Sequence, residues 1–351
     1  MKKFKGLSFL PVLLAVGLGA MILRFPQSAL NGVRSGIELS LNVAVPSLFP
    51  FLAVSVFVSG FAVPDKLQRV LSVVMRFLFR LPGEAFCAVV FGLVGGYPVG
   101  CAVASRLYEQ GKVTREQAQR LTLFCVNSGP AFAVTAVGSV MLGDSRAGAL
   151  IFASLCLSSV FVGVALRFVS PEPQKNETRE NPLVPLSYRF VESAEKASLS
   201  VFRICAWITL FSCLFSLLKE LGLSDNVMSV IRCVFEVTGG CRSAAEYGNI
   251  YTVAATLGWS GLCVVCQVLG DVRKVGTPLP LFLAFRAVHA ALAAVVCRVL
   301  LILFPVSVST FAPLSPDTAV ELFSASAPAA IALLGLCTVF VVDLDRNKKM
   351  C

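Results

Sequence analysis

Apolar runs long enough to cross a bilayer recur along this chain, and no other feature limits its fold as strongly. About 20 apolar residues in a helix span the ~30 Å of membrane hydrocarbon. Residues 7–23, 37–63, 121–142, 149–169, 199–218, 250–269, 281–304 and 329–342 form such stretches, which predicts eight spans. Only 14% of the 351 residues are charged and 56% are apolar. A soluble domain carries about 25% charged residues, too many more for this chain to cover itself with a water-facing surface. A cytosolic enzyme and a freestanding nucleic-acid-binding module are both excluded.

Two further apolar stretches are interrupted at their centres. Residues 86–105 contain Gly95-Gly96-Tyr97-Pro98, and residues 230–245 contain Thr238-Gly239-Gly240. Pro removes a backbone donor, and Gly costs about 1 kcal/mol in a helix interior. Such breaks survive at membrane depth only where protein or a polar cavity satisfies the freed backbone groups. Both segments therefore read as re-entrant hairpins, with two kinked full spans as the alternative.

The cations agree with this topology. With the N-terminus cytoplasmic, Lys66, Arg69, Arg76 and Arg80 fall inside, on a segment that reads as an interfacial helix. A hairpin returns to its own side, so Arg106, Lys112, Arg115 and Arg120 are inside as well. Residues 170–196 become a cytoplasmic linker, and Arg346, Lys348 and Lys349 place the C-terminus inside. Loop 307–326, without Lys or Arg, falls outside, as the positive-inside rule requires. The same rule accounts for the net charge of +10 without a nucleic-acid partner. Thirteen cysteines, mostly within apolar runs, read as small apolar filler.

The linker divides the chain into halves of one plan. Residues 1–35 hold a first helix. Residues 36–169 hold a span, an amphipathic segment, hairpin 86–105 and two spans. Residues 197–305 repeat that order around hairpin 230–245, and residues 306–351 add a loop, a last span and a basic tail. Each span after a hairpin carries a Ser-Gly pair, Ser128-Gly129 and Ser260-Gly261. The first unit starts outside and the second inside. The predicted fold is thus an all-α polytopic membrane protein, an inverted repeat with two re-entrant hairpins. Inverted repeats with broken helices in matching positions point to a transporter with a midplane site.

Polar groups at membrane depth are functional candidates by default. The hairpin tips, Gly95, Gly96, Tyr97, Pro98, Thr238, Gly239 and Gly240, offer backbone donors and acceptors, and a half-helix N-terminus favours an anion. Asn127 and Ser128 precede Gly129-Pro130 in mid-span and can hydrogen-bond a solute or join helices. Glu236 can bind a cation or proton, or pair with Arg232 one turn back. Arg286 and His289, spaced i, i+3, can hold a carboxylate; alternatively Arg286 snorkels and His289 is a satisfied core group. Ser260 and Gln267 would face the same cavity. No catalytic motif, metal cluster or cofactor signature is present, so neither an enzyme nor a cofactor is expected.

The runs GLVGGYPVGCAVASRLYEQGKVTREQAQRL, FCVNSGPAFAVTAVG, FEVTGGC, LGWSGLCVVCQV and FRAVHAALAA resemble the sporulation integral membrane proteins of the YlbJ type. That group carries nucleoside-recognition Gate domains and is similar in plan to concentrative nucleoside transporters. The resemblance covers roughly residues 36–300. It implies a multi-pass protein of endospore-forming bacteria that moves dipicolinic acid across the mother-cell-derived outer forespore membrane. A nucleoside-like solute is the alternative, and a non-transporting organiser of spore assembly is a third reading. The expected partners are a small solute and the lipid bilayer, with homo-oligomerisation left open.

Overall fold

The computed structural model describes residues 9–59, 65–169, 185–246 and 249–306, and every regular element among them is helical. Helix α1 is Phe9–Arg24. Helix α2, Pro26–Leu39, continues through a π-turn at Ser40–Ala44 into α3, Val45–Ser59. After α4, Asp65–Phe79, come α5 (Phe86–Val94), α6 (Tyr97–Glu109) and α7 (Arg115–Phe124), then a π-helix Ala131–Met141 and α8 (Ser145–Phe168). The rest comprises α9 (Leu186–Lys219), α10 (Asp225–Phe235), α11 (Val237–Glu246), α12 (Ile250–Trp259), α13 (Gly261–Val275) and α14 (Leu279–Leu303).

Among the described residues, four helices are long and apolar enough to cross a membrane: Ser145–Phe168, Ser187–Lys219, Ile250–Val275 and Leu279–Leu303. The expected eight are not all of this kind. Helix α1 is a shorter apolar helix of 16 residues. The stretch 121–142 is two pieces, because α7 stops at Phe124 and regular structure resumes only at Ala131. The span at 329–342 and loop 307–326 lie outside the described residues, as does linker segment 170–184. The end of the expected linker is a correction: residues 186–196 are the first turns of α9. Thirty-four residues rise about 51 Å, so α9 exceeds the hydrocarbon thickness and carries its polar start, with the Glu192–Lys196 ion pair, beyond it.

The first interrupted segment folds back on itself. A Cβ built on Gly100 would lie 2.9 Å from the Gly92 Cα. On one straight helix, eight residues would separate those positions by about 12 Å. At the open end, burial holds the Lys112 ammonium below the ordinary lysine range, while Cys87 and Glu84 near the start of α5 act on it in the opposite sense. Helices α5 and α6 pack against each other. The helical segments Arg69–Phe79 and Gly83–Val94 meet at 83°, so α4 lies across α5. Arg120 donates to the Phe79 carbonyl and, at 3.3 Å, to that of Arg80, binding this corner to α7. Met75 and Phe79 of α4 are buried and Val70, Val73 and Phe77 exposed, the asymmetry expected of an interfacial helix.

The second segment folds back too, with Gly240 against Cys233: a Cβ on Gly240 would lie 2.8 Å from the Cys233 Cα. Its break is not where the Thr-Gly-Gly run suggests. The chain turns at Glu236 (φ −140°, ψ 129°), and Thr238, Gly239 and Gly240 form the first turn of α11. Glycine there permits close packing instead of ending a helix. Across the halves, α6 packs on α13 and α11 on the π-helix Ala131–Met141, while α8 packs on α14.

Gly100→Ala tests the hairpin packing. The new Cβ would meet the Cys125 carbonyl oxygen at 1.8 Å. Overpacking of this kind costs about 1–3 kcal/mol, so thermal unfolding in detergent should begin at lower temperature. Gly270→Ala, in a helix and facing open space, should leave the midpoint unchanged or raise it.

Candidate solute-binding site

Each hairpin tip is met by the broken helix that follows it. A Cβ on Gly129 would lie 3.1 Å from the Val94 carbonyl oxygen and 3.2 Å from the Gly96 nitrogen. A Cβ on Gly261 would lie 3.0 Å from the Phe235 carbonyl oxygen and 3.1 Å from the Glu236 nitrogen. The two Ser-Gly pairs thus make the same contact in both halves. Gly96 itself has φ 91° and ψ 169°, a region essentially restricted to glycine. It starts α6, with the Val99 amide donating to its carbonyl at 3.1 Å and Pro98 in the first turn, where a missing N–H costs nothing. Ser260 is left-handed at φ 72° and separates α12 from α13.

Three of the breaks, at Gly95–Gly96, Ser128–Pro130 and Glu236, line one open cavity, and Cys263, Val264 and Gln267 of α13, which follows the fourth, complete its wall. Gly95, Gly96, Tyr97, Ser128, Glu236, Thr238 and Gln267 line it, seven of the residues singled out from the sequence. Most of the remaining wall is apolar and was missed: Leu39, Val94, Phe132, Ile204, Ile208 and Val264 among others. Phe132 follows the Pro130 break closely. Ile204 and Ile208 carry no signal beyond their i, i+4 spacing on α9.

Glu236 neither pairs with Arg232 nor stands free. Its carboxylate accepts from the Thr238 amide at 2.7 Å and the Gly239 amide at 2.5 Å, capping α11 with both oxygens. Charge at a helix N-terminus adds to that bond. Gln267 donates to Cys263 Sγ at 3.4 Å, and the Trp259 indole donates to the Val234 carbonyl at 2.8 Å, tying the second break to α10. Tyr97 crosses between halves, its hydroxyl donating to the Leu257 carbonyl at 2.8 Å.

Other candidates sit behind the wall. Pro98 and Gly240 are buried in the first turns of α6 and α11. Gly239 lies under the Glu236 carboxylate, and Ser260 is fully buried with no partner for its hydroxyl. Asn127 is also fully buried, its amide 3.7 Å from Cys156 Sγ and its carbonyl oxygen unpartnered. The expected Arg286–His289 carboxylate clamp is not what the geometry forms. Arg286 donates to the Val126 carbonyl at 2.5 Å and to the Gly258 carbonyl. His289 Nε2 lies 3.1 Å from both Ser159 Oγ and the Leu155 carbonyl, and Nδ1 lies 3.3 Å from the Gly258 carbonyl. Backbone oxygens freed by the breaks have claimed both side chains. No group of three or more potential metal ligands occurs among the described residues.

Fold and site together define a multi-pass helical integral membrane protein whose interrupted helices meet at one open cavity. The chain is 24% identical, over an alignment of 322 residues covering 79% of each chain, to the sporulation integral membrane protein YlbJ of Bacillus subtilis (strain 168). That comparison bears out the YlbJ-type resemblance. No family model and no solved structure matches the chain.

Removing the Glu236 cap should be felt in stability. Glu236→Ala is expected to cost about 1 kcal/mol, and Glu236→Gln, which keeps an acceptor, less. Denaturant or thermal unfolding of the purified variants checks this ordering; equal midpoints for wild type and Glu236→Ala would show that the cap contributes nothing.

Proposed function

We propose that this protein is a membrane transporter for a small anionic solute, with dipicolinic acid the preferred solute and the outer forespore membrane of a sporulating cell the preferred location. The observation that carries the reading is the convergence of both hairpin tips and the Ser128–Pro130 break on one cavity, with Gly261 of the other break set against the second tip. Broken helices expose backbone donors and acceptors, and their meeting point is where a membrane protein can bind a polar solute without water. The repeated tip-to-Ser-Gly contact favours two halves of common plan, which we read as inverted in the membrane with both chain ends cytoplasmic. The name of the Bacillus subtilis relative, a sporulation integral membrane protein, supports a role in sporulation. Nothing in the cavity calls for catalysis, and no cofactor enters the reading.

An anion is favoured by the buried cation behind the wall, because the Glu236 carboxylate on the wall is already engaged by the first amides of α11. Arg286, 1% exposed, is the one fully buried cation among the described residues. It is bonded to Val126, two residues before Ser128 of the cavity wall, and to Gly258, next to the Leu257 carbonyl that holds Tyr97. Its field reaches the cavity although its donors face the backbone. The N-terminus of α6 adds positive potential at Gly96 and Tyr97. A nucleoside-like solute is the second reading, favoured by the neutral side chains of Ser128, Thr238 and Gln267 on the wall.

Reconstitution into liposomes tests both readings. Wild type should take up dipicolinate in preference to uridine. Gly96→Leu should insert normally yet lose uptake, since a side chain at φ 91° both strains the tip and fills the approach to its amides. Uptake of uridine alone would establish the second reading, and normal uptake by Gly96→Leu would show the tip to be structural.

A further inference from the structure

The carbonyl oxygens left free by the two broken helices share one partner. Val126 lies in the break after α7 and Gly258 in the last turn of α12, in different halves of the chain, and both carbonyls accept from the Arg286 guanidinium. Each helix C-terminus carries about half a negative charge. Two of them directed at one buried point create a seat for a cation, and half-helix C-termini with unwound carbonyls are where ion-coupled carriers hold their driving cation. Here a tethered guanidinium fills that seat. It belongs to the second turn of α14, is 1% exposed, and cannot exchange with solvent. His289, one turn further along the same helix, contacts the same Gly258 carbonyl. Beside the two carbonyls in sequence, Asn127 Oδ1 and Ser260 Oγ are buried without a hydrogen-bond partner, so the surroundings hold further oxygens that a small ion could use.

We propose that Arg286 is a resident cation that occupies the ion seat formed by the two broken helices, so that the carrier uses no exchangeable cation there and becomes cation-binding only when the guanidinium is removed. The energetic argument is the asymmetry of buried polar groups. Two buried acceptors that lose a charged donor keep their full desolvation cost, and a small cation entering the vacated volume recovers part of it. Arg286 is thus a positioning residue, holding the ends of α7 and α12 together behind the cavity. The consequence for coupling rests on the transport reading above; the presence of the seat itself does not.

Thermal unfolding of the purified full-length chain in detergent separates the two. Wild type should show one midpoint in sodium, potassium and choline chloride at equal ionic strength. Arg286→Ala should unfold at lower temperature, and low-millimolar guanidinium or sodium should restore at least half of that loss while choline restores none. Arg286→Lys, which keeps the charge but not the fork, should fall between. A sodium-specific rise in the wild-type midpoint would overturn the proposal, as would an Arg286→Ala loss that no small cation repairs better than choline. Should Arg286→Ala fail to accumulate, Arg286→Lys decides instead, since a midpoint equal to wild type would show that the two-carbonyl fork is idle. In liposomes, dipicolinate uptake should be equal in sodium and choline buffers. Absence of any uptake would count against the transport reading and leave the midpoint series to judge the seat.

Discussion

Every backbone group at membrane depth must find a partner, because hydrocarbon offers none. That requirement organises this protein. Four interruptions, at Gly95–Gly96, Cys125–Pro130, Glu236 and Ser260, free amides and carbonyls that intact helices would satisfy internally. The structure answers each with a side chain or a facing backbone. Arg286 serves Val126 and Gly258, Tyr97 serves Leu257, and Glu236 serves the first amides of α11. Because the partners come from distant parts of the chain, satisfying the breaks also brings them together.

The glycines have a corresponding role in packing. Gly92 and Gly100 bring α5 and α6 into backbone contact, and Gly240 brings α11 onto α10. Gly258 does the same for α12 and α14, where a Cβ would lie 2.7 Å from the Ala290 Cα. Association of helices in a bilayer depends on such close approach, since burial of apolar surface offers little there. The cavity is what remains between elements drawn this close: an apolar chamber with its polar groups supplied at the breaks. Those polar groups are helix ends, where uncompensated backbone dipoles are strongest.

Much of this was legible in one dimension. Tyr97-Pro98 after two glycines announces a break because Pro lacks a donor, and the break lies there. Ser128-Gly129-Pro130 was read as a feature inside a span, yet the chain leaves helical geometry over several residues around it. Local propensity understated the effect, since the unwound segment is stabilised by contact with the α5–α6 tip. The Thr238-Gly239-Gly240 run misled in the other direction: its glycines belong to α11, and the turn falls on Glu236, whose own carboxylate caps the helix that follows. Residues 186–196, polar enough to suggest a linker, are helical because they extend a long apolar helix past the membrane boundary.

By itself, the sequence determined the class of protein and the helix break at Gly95-Gly96-Tyr97-Pro98. These depend on composition, on proline and glycine, and on runs whose lengths are set by the bilayer. Only the tertiary structure decided what the polar residues do. An Arg286 free to hold a carboxylate and one bonded to the backbone look alike to a reader of spacing, and the choice between solute and backbone as partner is made by which group lies within hydrogen-bond distance after folding. The carbonyls of Val126 and Gly258 lie 132 residues apart in the chain and meet at one guanidinium only because packing of α7, α12 and α14 closes that distance.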